Sequence, residues 1–208
     1  MKKFIPVIFM ILFAVLLLVM GKSAPEHAPD ADAYRQHPIL AFGDSLTYGT
    51  GADRHQSYPA MLQRMSGVKV VNAGVPGETS AEGLKRLQSA LDEHHPALLI
   101  LCHGGNDILR NLSKEALKAN LSAMVRLAKG RGVDVLLVGL PDMATLGFGT
   151  LDLYEEVADA EGTMFESGII GKIERNAALK SDRIHPNAEG YRMMAEKFYE
   201  LLKEEGRL

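Results

Sequence analysis

The 208-residue sequence contains one cysteine, no tryptophan and few aromatic residues, which make up 6% of the chain. The single cysteine, Cys102, excludes an intramolecular disulfide, and its place in an apolar run predicts inert packing in the core. Neither sign of charge is in large excess, since the formal net charge is −3. A chain without a basic excess has no electrostatic reason to bind nucleic acid. The length leaves room for one domain with a full-sized core.

The N-terminal segment differs from the rest of the chain. Lys2 and Lys3 precede an uncharged apolar run over residues 4–20, whose length lies between that of a signal-peptide core and that of a membrane span. Because the lysines favour the cytoplasmic side, we expect the remainder to be exported to the periplasm or another extracytoplasmic compartment. Residues 1–21 are predicted to be either a cleaved signal peptide or an anchor in the inner membrane. Residues 22–37, rich in Pro, Ala, Asp and His, predict a flexible tether.

Residues 38–208 alternate buried apolar runs with amphipathic ones. Continuous apolar runs predict strands that are buried on both faces, and apolar residues at helical spacing predict the helices between them. The predicted strands are 39–42, 68–71, 97–102, 133–140 and a short fifth at 163–166; the predicted helices are 58–65, 80–91, 113–129 and 188–205. This alternation is typical of an α/β domain with a parallel sheet, helices on both faces and right-handed crossovers.

Four polar loops follow apolar segments of this domain. They are Gly-Asp-Ser-Leu-Thr at 43–47, Asn-Ala-Gly-Val-Pro-Gly-Glu-Thr at 72–79, His-Gly-Gly-Asn-Asp at 103–107 and Ser-Asp-Arg-Ile-His-Pro-Asn at 181–187. Ligands of open α/β sheets bind outside the carboxyl ends of the strands. We therefore expect these loops to meet at one edge of the sheet.

The residue types in these loops suit acyl transfer. A serine hydroxyl such as that of Ser45 becomes a useful nucleophile only beside a base, and a base such as His185 is oriented by a carboxylate such as Asp182. An oxyanion needs donors, which a glycine backbone at Gly77 and an amide at Asn106 can supply. Each motif alone is typical of a turn or a helix cap. Three of these motifs on successive strand ends, together with a histidine and its own carboxylate before the last helix, favour catalysis.

The same blocks resemble those of the SGNH (GDSL) hydrolases. The resemblance extends from residue 39 to residue 202, with the blocks in the family's order. The stretches "VVNAGVPGETS", "GGNDILR" and "IHPNAEGY" are most similar to the bacterial multifunctional thioesterase/lysophospholipase and arylesterase branch. The family implies a flavodoxin-like three-layer α/β/α sandwich with a central parallel sheet of about five strands.

The resemblance also implies roles for individual residues. Ser45 matches the nucleophile, His185 the base and Asp182 the carboxylate that orients it. The backbone N–H groups of Ser45 and Gly77, with the side chain of Asn106, match the oxyanion hole. In the second block Gly74 is an alternative to Gly77, which fits the Gly-acid-Thr register better. Thr47 replaces the second glycine of Gly-x-Ser-x-Gly, which argues against the α/β-hydrolase elbow.

Substrate contacts are less constrained by the sequence. Arg110 is predicted either to hold an anionic head group or to be a surface arginine. Leu146 and Phe148 lie among apolar residues of the long connection 141–162, and they either line an acyl groove or pack onto neighbouring helices. His103 either contacts substrate or packs at a strand end. Asp44 and Asp107 are interpreted as acceptors that brace their loops.

The predicted function is that of a serine esterase or thioesterase acting through an acyl-enzyme, without a metal or organic cofactor. The expected substrate is a small-molecule or lipid acyl ester: a lysophospholipid, an aryl ester or an acyl thioester. One alternative is an exported polysaccharide or peptidoglycan O-acetylesterase, and another is a membrane-tethered binding module without catalysis. Membrane contact is expected only through an uncleaved N-terminal segment, and the sequence predicts no oligomeric state.

Overall fold

A five-stranded parallel sheet forms the centre of the computed structural model, which describes residues 36–142 and 149–208. The strands are β1 (Ile39–Gly43), β2 (Val70–Gly74), β3 (Leu98–Cys102), β4 (Asp134–Val138) and β5 (Met164–Glu166). Their order is β2-β1-β3-β4-β5, and every neighbouring pair is parallel. This is the strand order of flavodoxin-like sheets, whose ligands bind at the switch point between β1 and β3.

Helices cover both faces of the sheet. Helix α2 packs against α8, while α3 packs against α5 and α5 against α6. The helices are α1 (Ser45–Tyr48), α2 (Tyr58–Ser66), α3 (Ser80–His94), α4 (Gly105–Leu109), α5 (Lys114–Lys129), α6 (Asp152–Glu161), α7 (Ile169–Glu174) and α8 (Ala188–Glu204). The predicted three-layer α/β/α sandwich is confirmed. No helix within the described ranges is long and apolar enough to cross a membrane.

The central strands lie wholly inside the protein. All five residues of β1 and of β3 are buried, as their uninterrupted apolar runs predict. The short fifth strand is confirmed, and β2 begins two residues later than predicted and continues to Gly74. The predicted cap of α5 is also present, since the Ser113 hydroxyl accepts from the N–H of Ala116 at 3.1 Å.

The connection 141–162 contains a helix that the sequence analysis did not predict. Within α6, Leu153, Tyr154, Val157 and Ala158 are buried in the core. Their i, i+1, i+4, i+5 spacing is helical, and this spacing could have indicated the element. Of the two alternatives for the connection, an acyl groove or packing onto neighbouring elements, this half therefore agrees with packing. Helices α4 and α7 were also missed, since five or six residues are too few to establish a period.

Two glycines permit close packing at the carboxyl edge of the sheet. A Cβ on Gly43 would lie 1.9 Å from the carbonyl oxygen of Cys102, and one on Gly74 would lie 2.1 Å from the backbone nitrogen of Tyr48. Both positions therefore require a residue without a side chain. As a result, the end of β1 packs closely against the end of β3, and α1 packs closely against the end of β2. The predictions for residues 1–21 and for most of the tether concern positions outside the described residues.

Candidate active site

Ser45 is the first residue of α1, and one residue separates it from Gly43 at the end of β1. The preceding Asp44 caps this helix, since its Oδ1 accepts from the N–H of Leu46 at 3.0 Å. Burial raises the pKa of the Asp44 carboxyl, although backbone hydrogen bonds from Leu46 and Gly105 oppose the rise. The buried hydroxyls of Thr47 and Tyr58 bond at 3.1 Å and fasten α1 to α2. Ser45 is thus held at a fixed place on the sheet edge.

His185 joins Ser45 to Asp182. Its Nε2 lies 3.1 Å from Ser45 Oγ, and its Nδ1 lies 2.7 Å from Asp182 Oδ2. The other carboxylate oxygen of Asp182 accepts from the backbone N–H groups of Ile184 and His185 at 2.7 and 2.8 Å. The Asp-x-x-His segment therefore closes on itself, and it holds the imidazole ring between the carboxylate and the hydroxyl.

These hydrogen bonds change the acidity of Asp182. The backbone N–H of His185, its ring and the N–H of Ile184 together outweigh the modest effect of burial and lower the pKa of Asp182 to about 2. The carboxylate is therefore ionised at neutral pH. An ionised partner on Nδ1 selects the tautomer in which Nε2 is free to accept a proton from Ser45.

Asn106 and Gly77 lie on the same cavity as Ser45 and His185. Asn106 belongs to α4, directly after β3, and its Nδ2 donates to the carbonyl oxygen of Glu78 at 3.0 Å. Gly77 has a φ of 81°, a left-handed conformation that glycine adopts without strain. The four predicted loops therefore meet at one edge of the sheet, at the β1/β3 switch point.

The cavity has a volume of about 310 Å³. Its polar side is formed by the residues just described, and its apolar walls come from residues that the sequence analysis did not single out: Leu46, Pro76, Leu109 and Ile184. Each of these four residues lies within three positions of a predicted site residue in the sequence. This proximity is the signal from which they could have been predicted. An apolar wall beside a polar edge suits a ligand that carries both kinds of surface.

Other predicted substrate residues lie elsewhere. Leu146 and Phe148 fall outside the described residues, so their predicted place in an acyl groove stays a prediction. The exposed guanidinium of Arg110 donates to the carbonyl oxygen of Gly77 at 2.7 Å, and Arg110 does not line the cavity. His103 is fully buried and also lies outside the cavity lining, in agreement with packing at a strand end.

The two aspartates interpreted as braces do contact their loops. Both oxygens of the Asp107 carboxylate accept from Ser80, from its N–H at 2.8 Å and from its hydroxyl at 2.6 Å. Asp44 lies 3.4 Å from the amide of Asn106 in addition to capping α1. Across the described part of the chain, no three His, Cys, Asp or Glu side chains are grouped closely enough to bind a metal ion.

A family model described as GDSL-like Lipase/Acylhydrolase matches residues 41–193, which include all four loops. The chain belongs to this family. The resemblance seen in the sequence is thereby confirmed, and the chain is a carboxylic ester hydrolase of the esterase or thioesterase type. A binding module without catalysis is correspondingly unsupported.

Several characterised proteins are similar over most of their length. Esterase TesA of Pseudomonas aeruginosa is 31% identical over 175 residues, covering 79% of this chain and 87% of that protein. An arylesterase of Vibrio mimicus is 30% identical, covering 76% and 84%. Thioesterase 1/protease 1/lysophospholipase L1 of Escherichia coli K12 is 27% identical, covering 76% and 79%. The crystal structure of TesA superposes with a TM-score of 0.72 at 32% identity, covering 81% of this chain and 99% of that one.

Proposed function

We propose that this hydrolase cleaves acyl esters or thioesters with Ser45 as the nucleophile, His185 as the general base and Asp182 as the carboxylate that orients the base. The observation that carries the proposal is the pair of hydrogen bonds from Ser45 Oγ to His185 Nε2 at 3.1 Å and from His185 Nδ1 to Asp182 Oδ2 at 2.7 Å. Both distances are within the range expected of a nucleophile, its base and the group that orients it.

The proposed reaction has two steps. Ser45 Oγ attacks the carbonyl carbon of the substrate while its proton moves to His185 Nε2, and the carbonyl oxygen becomes an oxyanion. His185 then gives that proton to the leaving alcohol or thiol, whose bond to the acyl carbon breaks. Water, activated by the same imidazole, attacks the acyl-enzyme and releases the carboxylic acid. The backbone N–H groups of Ser45 and Gly77 and the Asn106 amide are the proposed donors to the oxyanion.

The proposed substrate class follows from the cavity. Apolar side chains wall a space of about 310 Å³ beside Ser45, and such a wall suits the hydrocarbon part of an acyl group. The relatives named esterase, arylesterase and lysophospholipase are consistent with substrates of this class. We include export in the proposal, with residues 1–21 directing it and residues 22–37 as the tether, on the basis of Lys2, Lys3 and the apolar run after them.

Hydrolysis of p-nitrophenyl esters from acetyl to palmitoyl tests the proposal. We expect the highest kcat/KM with a medium or long chain, together with labelling by a serine-directed phosphonate. The Ser45→Ala variant should lack both. Activity restricted to the acetyl ester would contradict the acyl-chain proposal and favour the carbohydrate O-acetylesterase. Labelling that persists in Ser45→Ala would contradict the assignment of the nucleophile.

Asn106→Ala is expected to lower kcat on the order of 100- to 1000-fold, because it removes one donor to the oxyanion. The matched control is Asn176→Ala. Asn176 is an exposed asparagine that caps a 3-10 turn by accepting from the N–H of Ala178, so its loss should cost about 1 kcal/mol of stability and leave kcat unchanged. Steady-state kinetics on the best p-nitrophenyl ester distinguishes the two. Equal effects of both substitutions on kcat would contradict an oxyanion role.

Asp182 should not contribute to the acid limb of the pH–rate profile. Its pKa is lowered to about 2, so this carboxylate stays ionised while the pH falls from 9 to 4. The logarithm of kcat/KM, measured over this range, should therefore fall with a slope no steeper than one. A slope of two would show that a second group, such as Asp182, titrates in the same range.

The lowered pKa of Asp182 also makes the stability of the folded protein depend on pH. Its folded pKa lies below the usual 3.8, so its contribution is present above pH 3.8 and is lost as the pH falls towards 2. The side chain is 53% exposed, and solvent screening therefore limits the contribution to about 1 kcal/mol or less. Any loss of activity above pH 4 should consequently occur without loss of the stability that Asp182 contributes.

A further inference from the structure

A polar cluster of Glu78, Arg86 and His103, in which the Arg86 side chain is 28% exposed, adjoins the loops that line the cavity. The Glu78 carboxylate accepts from Arg86 Nε and Nη2, each at 2.6 Å, and from His103 Nε2 at 3.1 Å. The Glu78 side chain is 7% exposed, and that of His103 is fully buried. The cluster is separate from Ser45, His185 and Asp182, and the proposed reaction uses none of its members.

The hydrogen bonds of His103 assign different roles to its two ring nitrogens. Its Nδ1 accepts from the N–H of Gly104 at 3.1 Å, so Nε2 is the nitrogen that donates to Glu78. The ring occupies space left by a missing side chain, since a Cβ on Gly83 would come within 2.3 Å of Nε2. His103 therefore links the strand end before Asn106 to Glu78.

Arg86 links the same carboxylate to two strand ends. Its Nη2 also donates to the carbonyl oxygens of Ala73 at 2.9 Å and Gly43 at 3.2 Å, and its guanidinium lies 3.8 Å above the centre of the Phe42 ring. Gly43 ends β1 two residues before Ser45. One planar cation thus connects β1, which ends two residues before Ser45, to the loop that carries Gly77.

The main chain of Glu78 completes the arrangement. Gly77 immediately precedes it, and its carbonyl oxygen accepts from Asn106 Nδ2 at 3.0 Å. The same amide nitrogen lies 3.4 Å from Asp44 Oδ2, so Glu78 and Asp44 together orient the Asn106 side chain. All three chain segments that supply the proposed oxyanion donors are therefore connected to Glu78 by hydrogen bonds, directly or through Arg86 or His103.

We propose that Glu78, Arg86 and His103 are positioning residues, which hold the proposed oxyanion donors on the loops after β1, β2 and β3 in one geometry. The inference rests on the proposed function. Oxyanion stabilisation depends on donors that are fixed before the reaction, and an error of 1 Å in placement costs about 100-fold in rate. The hydrogen bonds above supply that placement across three chain segments that are distant in sequence.

The electrostatics of the cluster favour an ionised Glu78. Burial alone would raise the pKa of Glu78, but hydrogen bonds from His103 and Arg86, with the positive charge of Arg86, outweigh burial and hold it below its usual range. Replacing the carboxylate by an amide of the same shape removes the charge that holds both donors, while the Glu78 carbonyl group is retained. Glu78→Gln therefore loosens the cluster without deleting the bond to Asn106.

The test compares Glu78→Gln and Arg86→Lys with the wild-type full-length chain on its best p-nitrophenyl ester. We expect kcat to fall about 10- to 100-fold with KM within about 3-fold, since donors to the oxyanion act in the transition state. Arg86→Lys keeps the positive charge but loses the planar fork. The control is Glu166→Gln, which alters another buried carboxylate on the edge strand β5, one that accepts from the N–H groups of Gly168 and Ile169.

Thermal unfolding of every variant accompanies the kinetics. A lower kcat in both cluster variants, with wild-type kcat in Glu166→Gln at a comparable loss of Tm, supports the positioning role. Unchanged kcat in a folded Glu78→Gln or Arg86→Lys overturns it, as does an equal fall of kcat in Glu166→Gln. If Glu78→Gln does not fold, Arg86→Lys decides alone. A wild-type chain without Ser45-dependent hydrolysis overturns the proposed function itself, and this failure is visible before any cluster variant is measured.

Discussion

Ser45→Ala is expected to lower kcat/KM for the best p-nitrophenyl ester on the order of 10⁴- to 10⁶-fold. The substitution removes the only atom proposed to attack the substrate, Oγ, and leaves the cavity, the capping by Asp44 and the proposed N–H donors intact. The residual rate should come from binding and oxyanion stabilisation alone. Steady-state kinetics with purified full-length protein, supported by labelling with a serine-directed phosphonate, measures this effect.

The control for this variant is Ser66→Ala. Ser66 ends α2, at the opposite end of β2 from the cavity, and its hydroxyl donates to the carbonyl oxygen of Leu62 at 2.8 Å and accepts from the N–H of Val68 at 3.1 Å. Loss of these two bonds should cost about 1 to 3 kcal/mol of stability and leave kcat/KM within about 2-fold of the wild type. A Ser45→Ala enzyme that retains more than a tenth of the wild-type activity would show that another group attacks the ester.

The length of the acyl chain is a separate question from the identity of the nucleophile. The walls formed by Leu46, Pro76, Leu109 and Ile184 lie directly beside Ser45, so they would contact the first carbons of an acyl group. An acetyl group occupies little of a cavity of about 310 Å³. The volume therefore supports a chain longer than acetyl, and the p-nitrophenyl series measures by how much.

The sheet and the site differ in how the sequence indicates them. The strands could be predicted because each is an uninterrupted apolar run buried on both faces, as in β1 and β3. The loops could be predicted because parallel strands bring their carboxyl ends to one edge. Helix α6 was missed because glycines and scattered leucines in the preceding residues obscured a helical period that begins at Leu153.

The cluster of Glu78, Arg86 and His103 could not be predicted from spacing. Glu78, Arg86 and His103 come from a loop, a helix and a strand end, and only the three-dimensional packing brings them within hydrogen-bonding distance. Each alone is typical of an ordinary surface charge or a packed histidine. The His103 ring fits only because Gly83 has no side chain. Neither residue alone indicates this contact in the sequence.

His185→Ala is expected to cost as much as Ser45→Ala, on the order of 10⁴- to 10⁶-fold in kcat/KM. Without the imidazole no group accepts the proton of Ser45 Oγ, because Asp182 is bonded to the far side of the ring and cannot replace it. The exposed His55 provides the control, and His55→Ala should leave the rate unchanged.

The double variant Ser45→Ala/His185→Ala then distinguishes a joint action from two independent ones. If the hydrogen bond of 3.1 Å between Ser45 Oγ and His185 Nε2 reports a nucleophile and its base, removing the second partner costs nothing further. We therefore expect the double variant to retain the same residual rate as either single variant. Multiplication of the two single effects would mean that His185 acts elsewhere in the reaction, and that proton transfer from Ser45 has another acceptor.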